Sequence, residues 1–311
     1  MMPAIESLAP VFLLIVLGYA LRRKRFLSEG FWEGADRLTY FVLFPALIIH
    51  TLADADFANL AISGMALALA FPVLLMAISL SLARPHFQSR GYDGPPYTSL
   101  FQGAIRPNTF VGLAAAAALY SEAGLTLAAV AVVVLTPLVN LLSASTLARH
   151  ASNEYSGAKA QLLLIVTNPL ILASLAGITL NLGGIGLPGV AAPLFDTLGR
   201  AALTLGLLSV GAGLYPMAAR SDEGAPLLAL IASCAAKLVL LPALTAAFLH
   251  LFDVQGITAA VAILFAALPT SATAYVMSRQ LGGDHALMAR IITVETLAAA
   301  CTLPACLILL T

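Results

Sequence analysis

The sequence predicts an all-α polytopic membrane protein. Its ten spans are expected to form two inverted five-helix repeats, with the fourth and ninth helices broken where they cross. Three observations lead there. Hydrophobic residues fill 60% of the 311 positions and charged residues only 10%, against about 25% charged in soluble domains, and the mean hydropathy is +0.97. Among the connections, only alternate ones carry Lys or Arg. The two halves of the chain also repeat the same proline and glycine positions.

A helix needs about 20 mostly apolar residues to cross a hydrocarbon core of about 30 Å. Polar, Gly and Pro clusters divide the chain into helices near 5–21, 32–53, 59–83, 97–120 and 125–147, then 159–181, 192–218, 226–252, 257–280 and 285–310. Residues 8–21 imitate the apolar core of a signal peptide. Glu6, the absence of a preceding basic residue and the lack of a small-residue cleavage site favour a retained first span.

The connection after that span holds Arg22, Arg23, Lys24 and Arg25, and later alternate connections hold Arg84 and Arg90, Arg149 and Lys159, Arg220, and Arg279. The other set, DADFAN, YSEAG, NLGGIGLPGV and FDVQG, holds no Lys or Arg. The positive-inside rule then makes the RRKR side cytoplasmic and puts both termini outside. A missed or invented span would scramble this alternation, so it supports the count. Cys234, Cys301 and Cys306 lie in apolar segments without metal-ligand spacing and read as small buried hydrophobes. A net charge of zero gives no reason to expect a nucleic-acid partner.

PVFLLIVLGYAL, from Pro10, parallels PLILASLAGITL, from Pro169, with Gly18 and Gly177 at the same offset and Leu21 and Leu180 closing the match. The fourth helix breaks at Pro107 within IRPNTFVG and the ninth at Pro269 within ALPTSATAY, while the fifth and tenth contain LTPLVNLL and TLPACLIL. The repeats are then 1–147 and 159–311, joined by a cytoplasmic loop at 148–158. Five spans per unit force the second copy into the bilayer upside down, an arrangement common among secondary transporters.

Proline removes a backbone donor and clashes with the preceding turn. Broken backbone persists at membrane depth only where it is buried in protein or lines a wet cavity. The half-helices beginning after Pro107 and Pro269 would bring their electropositive N-termini to the midplane from opposite sides, which suits an anion. Arg106 adds a full charge, and Asn108, Thr109, Thr270, Ser271 and Thr273 add short polar groups at the same level. The expected site is a cradle for a carboxylate or similar small anion. The plainer reading is a pair of proline kinks whose polar side chains satisfy freed carbonyls, with Arg106 paired to an internal acid or snorkelling.

Glu295, in RIITVETLAAA, is an ionisable group within the last span and a candidate for coupling, since a carboxylate there can accept a proton or ligate sodium. The alternative is a structural pairing with Lys237 or Arg290. Lys237 itself reads as a partner for a buried acid or for a helix's C-terminal carbonyls. His50 and Asn140 are further candidates to line the entrance or site, against the plainer role of satisfied packing residues. Gly211, Ala212 and Gly213 permit close helix approach.

LPTSATAYVMSRQLGGD resembles the ninth-helix signature of the auxin efflux carrier family, which includes bacterial permeases and the plant PIN-type carriers. Pro107, Asn108 and Thr109 match the Pro-Asn-Thr of the plant fourth helix, and LTYFVLFPALI resembles the second. The similarity spans the whole chain. It implies the inverted fold shared with bile acid:sodium symporters. It further implies a scaffold of helices 1, 2, 6 and 7 and a mobile domain of helices 3–5 and 8–10 that carries a small organic anion by an elevator-like motion. Asn108 and the backbone beyond Pro269 would hold the substrate carboxylate, either dicarboxylate-like (malate or malonate) or auxin-like. The resemblance also implies a multi-pass protein of the bacterial plasma membrane, a homodimer through the scaffold, and no cofactor beyond coupling to H+ or Na+. Arg106 and Ala114 depart from the family pattern.

Other classes fit less well. Neither H-E-x-x-H nor G-x-S-x-G occurs, and QLGGD departs from the intramembrane aspartyl-protease G-x-G-D at Leu281, so no enzyme is expected. A passive anion channel or membrane sensor on the same fold is the alternative, since broken helices lining a wet path also serve conduction.

Overall fold

The computed structural model describes residues 2–55, 61–151, 167–219 and 227–310, with the side chains of 2–5 and 216–219 excepted. Much of the 148–158 connection, the expected start of the sixth helix, and Lys159 and Arg220 lie outside the described residues. Among these residues every regular element is helical. The helices are α1 (Met2–Arg23), α2 (Glu29–Ala53), α3 (Ile62–Gln88), α4 (Pro95–Ile105), α5 (Thr109–His150), α6 (Pro169–Leu182), α7 (Ala191–Ala219), α8 (Leu227–Leu251), α9 (Gly256–Ala267), α10 (Thr273–Gln280) and α11 (His285–Leu310). Six are long and apolar enough to cross a membrane: α2, α3, α5, α7, α8 and α11.

At 1.5 Å per residue a straight α5 would run about 63 Å, twice a bilayer core. It is not straight. Ser121 is non-helical (φ 52°, ψ −138°), and a Cβ placed on Gly124 would come within 2.5 Å of the Ala116 carbonyl oxygen, eight residues back. The chain therefore folds on itself at YSEAG, where the sequence predicts a connection.

Two sets of helices pack among themselves. In the first, α1 packs on α7 and α2 on both α6 and α7; the second joins α3, α4, α5, α8, α9, α10 and α11, and the sets meet mainly through α5 and α11. Small residues set the spacing in the first. A Cβ on Gly18 would meet the Leu208 carbonyl oxygen at 2.0 Å, and one on Gly211 that of Ile15 at 1.8 Å, so α1 and α7 touch backbone to backbone. Gly177, which the sequence comparison aligns with Gly18, lets α6 approach α2, where a Cβ would lie 2.9 Å from Leu52. Gly213, by contrast, faces open space.

The core is apolar, as periodicity alone would give, but it also encloses Lys237 and Glu295, both 0% exposed. Two short π turns interrupt long helices: Thr39–Leu43 within α2 and Ala236–Leu240 within α8. Such turns often mark functional positions, and the second carries Lys237.

Candidate functional site

The residue before a proline is driven out of the α region. Arg106 and Leu268 accordingly adopt extended backbone, with ψ of 113° and 146°, and end α4 and α9. The freed backbone groups then pair across the break. The Asn108 N–H donates to the Pro269 carbonyl at 2.8 Å, and Pro107 and Thr270 form an antiparallel bridge. The two interruptions therefore meet. Asn108 caps α5, its side-chain oxygen accepting from the Val111 N–H at 3.4 Å, and is 2% exposed.

On one side of this crossing lies a cavity of about 270 Å³. The crossing and its flanks contribute Arg106, Pro107, Thr109, Phe110 and Ser271; α10 adds Thr273, Met277 and Gln280; the far arm of α5 adds Thr136 and Asn140. Tyr40 of α2 and Asn168 at the start of α6 close it from the other helix set.

Arg106 governs its chemistry. The side chain is 5% exposed. Its guanidinium donates to Thr273 Oγ1 at 3.1 Å and to the Met277 sulfur at 3.6 Å, while Nε has no partner. The Thr273 hydroxyl in turn donates to Ser271 Oγ at 3.0 Å. Among the described residues no carboxylate lines the cavity or pairs with Arg106 within 4 Å. A buried cation met only by neutral groups leaves charge unbalanced, and a site of this kind can hold a small anion.

The opposite side is closely packed. The Thr270 N–H donates to Glu295 Oε2 at 2.9 Å, and the Ser233 hydroxyl to Glu295 Oε1 at 3.2 Å. The Thr270 hydroxyl turns away from the cavity to the Gly103 carbonyl at 2.6 Å. Lys237 Nζ donates to the Ala266 carbonyl at 3.3 Å, at the C-terminal end of α9. Gly103 makes room for this set, since a Cβ there would lie 2.1 Å from Ser233 Oγ.

Of the residues singled out from sequence, Arg106, Pro107, Thr109, Asn140, Ser271 and Thr273 share the cavity. Asn108, Pro269 and Thr270 build the crossing behind it. Glu295 lies on the closely packed side. His50 is elsewhere, with Nε2 3.9 Å from Asp196 of α7. Sequence reasoning missed Tyr40, Thr136, Asn168 and Gln280 in the cavity, and Gly103 and Ser233 behind it. Only Asn168 carried a readable sign, an Asn-Pro pair opening a helix: its side-chain oxygen accepts from the Leu170 and Ile171 N–H groups. Among the described residues no cluster of His, Cys, Asp or Glu could hold a metal ion.

In the connection after α3, Asp93 accepts a hydrogen bond from Arg84 at 2.8 Å, which holds that half-buried carboxyl below the usual carboxylate range.

A family model described as membrane transport protein matches residues 3–307. A transporter from Methanothermobacter thermautotrophicus, itself uncharacterised, is 25% identical over 309 residues that cover 97% of each chain. This is a multi-pass membrane protein and a transporter, and the chain belongs to the membrane transport protein family, the auxin efflux carriers whose motifs it resembles.

Proposed function

We propose that the protein carries a small organic anion, a carboxylate or dicarboxylate, across the cytoplasmic membrane by alternating access of the elevator type. The observation that carries this reading is Arg106: a buried guanidinium without an acidic partner among the described residues, facing a cavity where two broken helices meet. Arg106, Thr109, Asn140, Ser271 and Thr273 contact the substrate, and Asn108, Pro269 and Thr270 hold the crossing in shape.

In this reading the ten spans form two inverted repeats. The matched packing of Gly18 on α7 and Gly177 on α2 supports it, since each joins the first helix of one repeat to the second helix of the other. Helices α1, α2, α6 and α7 are the scaffold, a surface for a homodimer, and the remaining helices move as the transport unit. The cavity lies between the two sets and reaches toward Gln280, next to Arg279. By charge bias that mouth is cytoplasmic and both termini are outside. On the other side Phe44 of α2 stacks on Phe110, with ring centroids 4.3 Å apart and planes 14° from parallel, and so closes the path.

The test is uptake into proteoliposomes. A carrier gives saturable uptake of labelled carboxylates and counterflow of the same solute; non-saturable flux without counterflow identifies a channel. Coupling to H+ or Na+ through Glu295 belongs to the same reading. If Glu295→Gln leaves gradient-driven accumulation intact, Glu295 does not couple.

A further inference from the structure

Where α9 stops at Ala267, the last carbonyls of the helix lose their intrahelical donors and carry the negative end of the helix dipole. Transporters with broken helices use such carbonyl ends to bind a coupling Na+, together with carboxylate and hydroxyl oxygens, the ligands hard cations prefer. Every one of these ligand types is present behind the crossing: the Ala266 carbonyl, the Glu295 carboxylate and the hydroxyls of Ser233 and Thr270, with each side chain 0% exposed.

The positive charge there belongs to the chain itself. Lys237 is fully buried and donates to the Ala266 carbonyl. It lies beyond 4 Å from Glu295, since the two form no ion pair, a range at which opposite charges in a low-dielectric interior still attract. The π turn Ala236–Leu240 puts Lys237 at this point of α8. The void beside Lys237 and Ala266 is about 10 Å³, with mostly apolar walls that include Leu69, Ile105 and Leu135. That is about one probe sphere of space, at most enough for one water and too little for a hydrated ion. Lys237 is also not part of the cavity that holds Arg106, so it does not serve as the substrate's counter-charge.

We propose that the Lys237 ammonium is a tethered cation occupying the seat that a monovalent metal ion would otherwise take at the carbonyl end of α9. Removing it opens a seat for a monovalent cation at the Ala266 carbonyl, with its charge balanced by Glu295. The inference rests on the transport reading only for its consequence, which narrows coupling through Glu295 to H+. The seat itself is testable without transport.

The experiment is thermal unfolding of purified protein in detergent, in NaCl, KCl and choline chloride at equal ionic strength. The unaltered protein is expected to melt at the same temperature in all three. Lys237→Ala is expected to melt lower in choline chloride and to regain several degrees in NaCl, because a ligand that binds only the folded state stabilises it by mass action. Lys237→Ala combined with Glu295→Gln is expected to lose that response. A sodium-specific rise in the unaltered protein, or indifference of Lys237→Ala to the cation, overturns the proposal. If Lys237→Ala does not fold in any salt, the double variant decides: its folding in choline chloride supports an uncompensated carboxylate as the lesion, and its failure contradicts the proposal.

Discussion

The two sides of one crossing use charge in opposite ways. Toward the cavity, Arg106 meets a hydroxyl and a thioether and keeps one nitrogen unpartnered. Behind the crossing, both oxygens of Glu295 accept hydrogen bonds and Lys237 satisfies a helix end. A buried charge whose partners are supplied within the fold holds structure together. One whose partner is missing stores an unmet interaction that an incoming ion can satisfy. The contrast predicts that substitutions behind the crossing act on stability, and those in front act on binding.

The largest expected effect is behind it. Glu295→Ala strands the Thr270 N–H, the Ser233 hydroxyl and the Lys237 charge, and breaking a buried charge set of this kind costs about 3–5 kcal/mol. Denaturant or thermal unfolding in detergent measures it; a loss below about 1 kcal/mol would make the two sides alike. Next is Gly103→Ala, whose methyl would fall 2.1 Å from Ser233 Oγ and 2.7 Å from Ile291. Overpacking of this sort costs about 1–3 kcal/mol, and adding Ser233→Ala should recover part of it.

In front, Thr273→Val removes the hydroxyl partner of Arg106 and is expected to weaken anion affinity about fivefold, the worth of a hydrogen bond of about 1 kcal/mol, with the melting temperature unchanged. Smallest is Asp93→Asn at the Arg84 contact. The carboxyl is depressed in the folded state, so its stabilisation is present above the ordinary Asp range and is lost only as pH falls through the depressed value. From about pH 5 to 8 the unaltered protein should melt slightly higher than the variant by a constant margin, and the two melting temperatures should converge in stronger acid as the Asp93 carboxyl is protonated.

Both breaks were legible in the sequence because proline imposes them locally, and the charge of Arg106 at mid-span was conspicuous for its cost. The destination of Lys237 was half legible: a lysine in an apolar span needs an acid or a carbonyl end, and the Ala266 carbonyl is one. What the sequence hid depends on direction rather than composition. Thr270 and Thr273 look equivalent within LPTSATAY, yet the first hydroxyl turns back to Gly103 and the second forward to Arg106. The α2 and α8 π turns have no signature in residue type. Tyr40 and Asn168 reach the cavity from another helix set, a relation that only packing creates.

Isothermal titration of purified protein with mono- and dicarboxylates, comparing the unaltered chain with Arg106→Met, tests the central claim most directly. The account predicts saturable anion binding that weakens about ten- to hundredfold in the variant, as loss of charge-assisted hydrogen bonds implies, while thermal stability is kept or raised. Equal affinity in both proteins, or binding of cationic solutes in place of anions, would contradict it.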